Sequence, residues 1–144
     1  MIRRGNSFVF RCGEEPKFYR ALRLLGRLKG IHPISINRLV RHEKEHIEAA
    51  KNLSCCDRAS YSASVDGEAI VGSVNMGDLE DWEKFYVSLA PRDPSLQDLN
   101  CAASACEGSV GNVVHDRVSS MLSAGESLGS IKKYLFSARP ASFP

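Results

Sequence analysis

The sequence predicts an α+β (mixed α/β) domain, in which a central and mostly antiparallel sheet carries helices on both sides, in the order β-α-α-β-β-β-α-(β)-α. Residues 61–74 alternate apolar and small polar side chains around Asp66-Gly67, a pair that tolerates the positive φ of a type I′ turn, which indicates a β-hairpin. Segments with the helical spacing of apolar residues precede and follow this hairpin. Helices combined with an antiparallel sheet define the α+β class.

The composition is that of a single globular domain covering residues 1–144, with residues 138–144 as a C-terminal tail. Of the 144 residues, 43% are hydrophobic and 25% are charged, which excludes a disordered or fibrous chain. The uncharged stretches are too polar to span a bilayer, and the start of the chain has no apolar signal core. We therefore expect a soluble, cytoplasmic protein without a membrane partner.

The five cysteines indicate a reducing environment. They are odd in number and irregularly spaced, unlike the disulfide framework of a secreted protein, so we expect reduced thiols. The adjacent cysteines, Cys55 and Cys56, could bind a metal only with further ligands, and the spacing of the other cysteines does not supply them. The cysteines are Cys12, Cys55, Cys56, Cys101 and Cys106.

Charge is divided unevenly along the chain. Residues 1–52 contain 12 basic and 5 acidic side chains, whereas residues 53–144 contain 7 basic and 12 acidic ones. The first third of the chain is therefore expected to face an anionic partner or the acidic part of its own chain.

The N-terminal third predicts one strand and two helices. The strand covers residues 6–12; a first helix runs from Pro16 to Gly30, and a second from an N-cap at Ser35 to about Leu53. The apolar positions of the first helix that we expect in the core are Phe18, Leu22, Leu25 and Leu28.

Three arginines of the first helix, Arg20, Arg23 and Arg27, lie on one face at spacings of three and four residues. They form either a solvated face or a phosphate-binding surface. The second interpretation supports an alternative function, a non-catalytic binding module whose basic helices contact nucleic acid or an acidic protein partner.

The second predicted helix contains His42-Glu43-Lys44-Glu45-His46, which matches the HExxH pattern of zinc hydrolases. Both residues between Glu43 and His46 are charged, so we favour a charged amphipathic helix with no bound metal and keep His42 and His46 as candidate ligands. Glu43 lies near the centre of the apolar arc, where a carboxylate should be paired or belong to a site.

After the hairpin, the pattern predicts a strand from about Lys84 to Ala90. A helix follows, and a capping box between Ser95 and Asp98 marks its start. Residues 112–119 fit either a helix or a strand. A last helix is predicted over residues 126–136.

Two segments resemble motifs of the GNAT acyltransferase superfamily. Residues 65–74 (VDGEAIVGSV) are similar to its β2–β3 hairpin, and residues 93–102 (DPSLQDLNCA) are similar to its pyrophosphate loop, although Asn100 replaces a glycine. The resemblance indicates a divergent or incomplete member. It implies a possible N-acetyltransferase that moves an acetyl group from acetyl-CoA to the amine of a small molecule or protein.

The resemblance also implies the residues of the site. Tyr134 would be the general acid near the CoA sulfur, and Glu83 would deprotonate the amine. Backbone amides of the loop and of the following helix start would hold the diphosphate. The implied cofactor-binding residues are Leu89, Gln97, Asp98, Leu99, Asn100, Cys101 and Ala102.

Overall fold

The computed structural model describes residues 1–4, 7–110 and 112–144. It divides into two compact units, Met1–Leu79 and Glu80–Pro144. The described part of the first unit contains a sheet, two α-helices and a short 3-10 helix, and that of the second contains helices and loops. The α+β class is therefore confirmed, while the assignment of all 144 residues to one domain stays a prediction.

The sheet is antiparallel and its strands follow the order of the chain. It is formed by β1 (Ile2–Arg4), β2 (Ser7–Arg11), β3 (Ser60–Asp66) and β4 (Ala69–Asn75), each paired with the next. The predicted strand at residues 6–12 corresponds to β2, and Asn6 lies outside the described residues. The predicted hairpin corresponds to β3 and β4 and is confirmed.

The turn of the hairpin differs from its prediction by one residue. Asp66 pairs with Ala69, so the two central residues are Gly67 and Glu68. Gly67 has φ +60°, and Glu68 is not in the left-handed region. A positive φ at the first central position alone is the pattern of a type II′ turn rather than the type I′ turn expected from Asp66-Gly67.

The register also corrects the predicted faces of the hairpin. Tyr61 pairs with Val74, and Ala63 pairs with Gly72. Since directly opposed residues in an antiparallel pair lie on the same face, Val74 shares the face of Tyr61. The alternation of side chains in residues 61–74 predicts Ile70 and Val74 on the opposite face. This prediction was wrong for both residues, since Ile70 pairs with Val65 and two loop residues between the strands set the parity of the pairing.

Two helices pack on this face of the sheet. Helix α1 spans Glu15–Leu28 and ends before Gly30, whose φ of +67° allows the chain to turn. Helix α2 spans Pro33–Asn52. Its N-cap is His32, whose ring nitrogen Nδ1 accepts a hydrogen bond from the backbone amide of Ile34 at 3.2 Å. The prediction of Ser35 as the cap was therefore wrong. A proline at the first helical position explains the earlier start.

The side of α1 that faces α2 is set by a glycine. A Cβ on Gly26 would lie 2.6 Å from Cδ1 of Ile36, so a larger residue here would have to displace the Ile36 side chain. Leu28, predicted in the core, is 72% exposed, because the buried face runs through Phe18, Leu22 and Gly26 instead.

The core of the first unit centres on an aromatic group. Phe18 of α1 is fully buried and stacks on Tyr61 of β3 with ring centroids 5.5 Å apart, while Phe10 of β2 lies 5.8 Å from Phe18. Such pairs contribute beyond the apolar area that they bury. They join α1 to the two central strands.

The second unit contains the largest departure from the predicted order. Residues 84–88, predicted as the start of a strand, belong to a helix that begins with a capping box between Glu80 and Glu83, and residues 113–119 are also helical. The last helix begins at an N-cap, Ser127, close to its predicted start. The helices are α3 (Asp81–Ser88), α4 (Leu96–Val110), α5 (Val113–Ser123) and α6 (Leu128–Ala138).

These helices share one apolar cluster. Small side chains of α4 allow its neighbours to approach closely, as the sequence suggested. The largest fully buried members are Phe85 of α3, Leu89 at the end of α3, Leu99 of α4, and Ile131 and Leu135 of α6.

We expect Phe18→Ala to destabilise the protein by about 3–5 kcal/mol, because it removes a fully buried ring and leaves a cavity against Tyr61. Urea unfolding followed by circular dichroism measures the free energy of unfolding. Lys17→Ala, at an exposed position of the same helix, is the control and should change it by less than about 0.5 kcal/mol. A loss below about 1 kcal/mol for Phe18→Ala would contradict the central position of this ring.

Candidate functional site

The two histidines of the HExxH pattern meet on one face of α2. Residues four apart in a helix are separated by about 40° around its axis and lie one turn apart. The Nε2 atoms of His42 and His46 are 3.2 Å apart, and the rings stand edge to face with centroids at 4.9 Å. His46 is buried and His42 is half-buried. One imidazole therefore hydrogen-bonds to the other, which requires a donor and an acceptor nitrogen.

This separation suits a shared metal ion. Two imidazole nitrogens that bind one tetrahedral Zn²⁺ at about 2.0–2.1 Å are about 3.3 Å apart. The distance between His42 and His46 is thus close to that of a chelating pair. No large rearrangement of the helix is needed to direct both nitrogens at one ion.

Glu43 lies between the two histidines in sequence and is 4% exposed. Its side chain packs on β4, where a Cβ on Gly72 would be 2.9 Å from Cγ and 3.2 Å from Cδ of Glu43. The absence of a side chain at Gly72 thus makes room for the carboxylate. Its burial fits the prediction that this residue is paired or belongs to a site.

The residues implied by the acyltransferase resemblance lie in elements that differ from those expected. Glu83 is in helix α3 rather than on a strand, and its Oε1 accepts the backbone amide of Glu80 at 2.9 Å. Leu89 is the C-cap of the same helix and is buried. The strand assignment was wrong; the catalytic role of Glu83 stays a prediction.

The predicted pyrophosphate loop is helical from Leu96 onward. Residues 97–102 all belong to α4, and Leu99 and Ala102 face the apolar core. The predicted capping box is confirmed, since the Ser95 amide donates to Asp98 and the Asp98 amide donates to Ser95 Oγ, at 2.8 and 3.1 Å. The amide of Leu99 donates to the Ser95 carbonyl. These amides are therefore occupied within the chain, and the cofactor-binding assignment of Gln97, Asp98, Leu99, Asn100, Cys101 and Ala102 stays a prediction.

Tyr134 lies on α6, half-buried against the apolar cluster of the second unit. Its contacts are those of a core aromatic residue. The role of general acid that the resemblance implies for Tyr134 stays a prediction.

The arginine series of α1 is exposed as a group, since Arg20, Arg23 and Arg27 are all solvent-accessible. Arg23 Nη1 donates to Asn37 Oδ1 of α2 at 2.8 Å. This hydrogen bond orients one guanidinium along the junction of the two helices.

The cysteines include a pair that the sequence did not indicate. Cys12 and Cys56 form a disulfide with a Cα–Cα distance of 5.6 Å, so the expectation that all five thiols are reduced was wrong. The pairing of Arg11 with Ser60 brings the two segments together across 44 residues of sequence. Spacing alone carries no signal for such a pair. Disulfides are uncommon in reducing compartments, so the cytoplasmic location stays a prediction.

A carboxylate adjoins this disulfide. Ligand atoms of Cys12, Glu15 and Cys56 all lie within 4.8 Å of one another. Burial alone would raise the pKa of Glu15, but an ion pair and hydrogen bond with Lys51 hold the pKa below its ordinary value. Glu15 is therefore ionised at neutral pH, with its charge compensated by a lysine.

Comparisons with protein-family models, with curated proteins and with solved structures return no match for this chain. None of the described helices combines the length and the hydropathy of a membrane span.

We expect Gly72→Ala to destabilise the protein by about 1–3 kcal/mol, because the new methyl group overlaps the Glu43 side chain. Gly129→Ala is the matched control: its nearest side-chain atom is 3.9 Å away and its position is helical, so it should stabilise by up to about 1 kcal/mol.

The free energy of unfolding in urea checks both variants. Repeating Gly72→Ala in a Glu43→Ala background should remove most of its cost. An equal cost in both backgrounds would show that Glu43 is not the obstructing group.

Proposed function

We propose that this chain is a zinc-dependent hydrolase whose metal is bound by His42 and His46 of α2, with Glu43 as the general base. The observation that supports it best is the 3.2 Å separation of the two Nε2 atoms. Sequence alone favoured a charged amphipathic helix. The arrangement of the two rings and the burial of the intervening glutamate favour the metal-binding alternative.

Binding of zinc requires a change in the hydrogen bond between the two rings. The hydrogen bond between His42 and His46 uses the lone pair of one Nε2 and the proton of the other. Binding of zinc requires both Nε2 lone pairs, so one ring must carry its proton on Nδ1 instead. This tautomer change breaks one hydrogen bond and moves no backbone atom.

The chemistry follows from the donor set. Two histidines leave coordination positions for a further protein ligand and for water, and zinc supplies a Lewis acid that brings the pKa of bound water to about 7. Glu43 would accept the proton of this water as its oxygen attacks a polarised carbonyl group. An ester or amide is therefore the class of substrate that this donor set favours.

We expect protein purified without chelator to bind about one equivalent of zinc, and the His42→Ala and His46→Ala variants to lose it. Elemental analysis and a zinc titration against a chromophoric chelator measure the stoichiometry. His115→Ala, on α5, removes a histidine outside the proposed pair and should keep the metal. The titration is made without reductant and repeated with the double variant Cys12→Ser, Cys56→Ser, which separates binding at the histidines from binding at this pair of cysteines.

Further measurements distinguish the parts of the proposal. Zinc at 100 times its Kd should raise the free energy of unfolding by about 2.7 kcal/mol, and its affinity should decrease as the pH falls, because protons compete for the imidazoles. Glu43→Gln should keep zinc but lose ester hydrolysis. Metal-free wild-type protein that zinc does not stabilise would exclude the proposal.

Acyl transfer is tested on the same sample. If the chain binds acetyl-CoA through the residues that its GNAT resemblance implies, acetyl-CoA at millimolar concentration should raise the melting temperature. A shift with acetyl-CoA and none with zinc would favour the transferase over the hydrolase.

A second candidate function is binding of nucleic acid or of another polyanion through the exposed arginines of α1. The observation that favours it is the joint exposure of Arg20, Arg23 and Arg27, with Arg23 held at the α1–α2 junction by Asn37. Guanidinium groups in a row suit the phosphates of an extended strand.

We expect an RNA oligomer to bind with an affinity that falls steeply with salt, and the triple variant Arg20→Ala, Arg23→Ala, Arg27→Ala to bind more weakly with a smaller salt slope. Fluorescence anisotropy at several salt concentrations measures both. The triple variant Arg92→Ala, Arg117→Ala, Arg139→Ala removes the same charge from exposed positions of the second unit and should bind like the wild type. Equal losses in the two triple variants would indicate a net-charge effect and no specific surface.

A further inference from the structure

The environments of the two sulfur atoms in the Cys12–Cys56 disulfide differ. Cys12 is exposed and lies in the turn after β2, next to Gly13, which has φ +96°. Cys56 is 5% exposed and begins a short 3-10 helix, Cys56–Arg58. A thiolate from solution can therefore approach the sulfur of Cys12 but not that of Cys56.

The buried sulfur has a hydrogen-bond donor. The Tyr61 hydroxyl lies 2.7 Å from Cys56 Sγ. Because a disulfide sulfur carries no proton, the hydroxyl donates to it. Burial raises the pKa of Tyr61 well above its ordinary value, so the hydroxyl keeps its proton at neutral pH. A negative charge on Cys56 would strengthen this hydrogen bond.

The nearby carboxylate does not prevent such a charge from forming. Glu15 lies within 4.8 Å of both sulfurs, and a lone carboxylate there would repel a thiolate. Lys51 forms an ion pair with Glu15 and compensates its charge. Because the charges of Glu15 and Lys51 cancel, Glu15 repels a thiolate on either sulfur less than a lone carboxylate would.

The backbone holds the two cysteines together independently of their bond. Arg11 and Ser60 pair in the ladder between β2 and β3, one residue from Cys12 and four residues from Cys56. This pairing keeps the two thiols neighbours after reduction, so exchange with a low-molecular-weight disulfide, which is reduced to two thiols, can close the bond again without refolding of the chain.

From these contacts we propose that Cys12–Cys56 is a redox-active disulfide that exchanges with a low-molecular-weight thiol of the glutathione class. The thiol attacks the sulfur of Cys12 first. The thiolate forms a bond to Cys12 Sγ as the bond between Cys12 and Cys56 breaks, and the electron pair leaves on Cys56 Sγ. A second thiolate then attacks the sulfur of the mixed disulfide that came from solution, which releases Cys12 as a thiolate. In sum, two thiols are oxidised to one disulfide and the protein disulfide is reduced to two thiols.

The regiochemistry of the mixed disulfide tests the entry point. The folded protein is incubated with reduced glutathione, quenched with acid, alkylated and digested with trypsin. The expected product carries glutathione on the peptide of residues 12–17 and the alkyl group on Cys56 in the peptide of residues 52–58. Fragmentation separates Cys56 from Cys55. Glutathione attached to Cys56 would overturn the proposal.

The rate of exchange tests the mechanism. Tyr61→Phe keeps the buried ring and removes the donor, so the rate should fall about tenfold, the usual effect of losing a hydrogen bond to a developing charge. Ser62→Ala, the next residue of β3, should leave the rate unchanged. An unaltered rate in Tyr61→Phe would overturn the role of the hydroxyl.

Denaturant separates exchange in the folded protein from exchange after unfolding. At low urea concentrations we expect a rate that hardly changes while the equilibrium constant for unfolding rises. A rate that rises in parallel with that constant would show that the disulfide reacts only in the unfolded chain, and would overturn the proposal. Neither outcome depends on zinc, so this test is independent of the proposed hydrolase.

Discussion

The stack of Phe18 on Tyr61 is the contact on which the first unit depends, because it fixes α1 against the central strand β3. The face of the sheet that Tyr61 occupies is thereby the buried one. Through the register of the hairpin, Gly72 lies on this face as well. Helix α2 approaches it there, with Glu43 in the space that the glycine leaves. The position of the histidine-bearing helix on the sheet therefore follows from the same pairing that buries the aromatic core.

Local chemistry made much of this unit predictable. Pro16 and Gly30 bounded α1, and Gly67 marked the turn between β3 and β4, since these residues restrict or permit backbone conformations by themselves. The error at residues 84–90 had a different origin. An isolated two-stranded hairpin is only marginally stable, so a third strand was expected beside it, and the next apolar segment of the chain fitted a strand by composition. In the structure β2 pairs with β3 and supplies that neighbour, so α3 could follow its own helical spacing and capping box.

The candidate sites also divide into those set by local spacing and those set by contacts between distant segments. The meeting of His42 and His46 was implied by their spacing, because four residues make about one helical turn. The proximity of Cys12 and Cys56 was not, because it depends on a strand pairing between distant segments. The segment at residues 93–102 resembled a phosphate-binding loop in composition, yet Ser95 and Asp98 cap a helix there. A capping box and an anion-binding loop use the same backbone amides, so short motifs separate them poorly.

The burial of Glu43 links the packing of α2 to its chemistry. A carboxylate at 4% exposure carries a desolvation cost that an apolar side chain of similar size, packed on Gly72, would not carry. A cation held by the adjacent histidines, as proposed, would lower that cost, because it would place positive charge within a helical turn of the carboxylate. The hydrogen bond between His42 and His46 needs an unprotonated Nε2 as its acceptor, and an unprotonated ring nitrogen is also what binds a metal. If the proposed ion binds on this face of α2, it would account for both the buried carboxylate and the close pair of imidazoles, while glycine at position 72 makes room for the carboxylate.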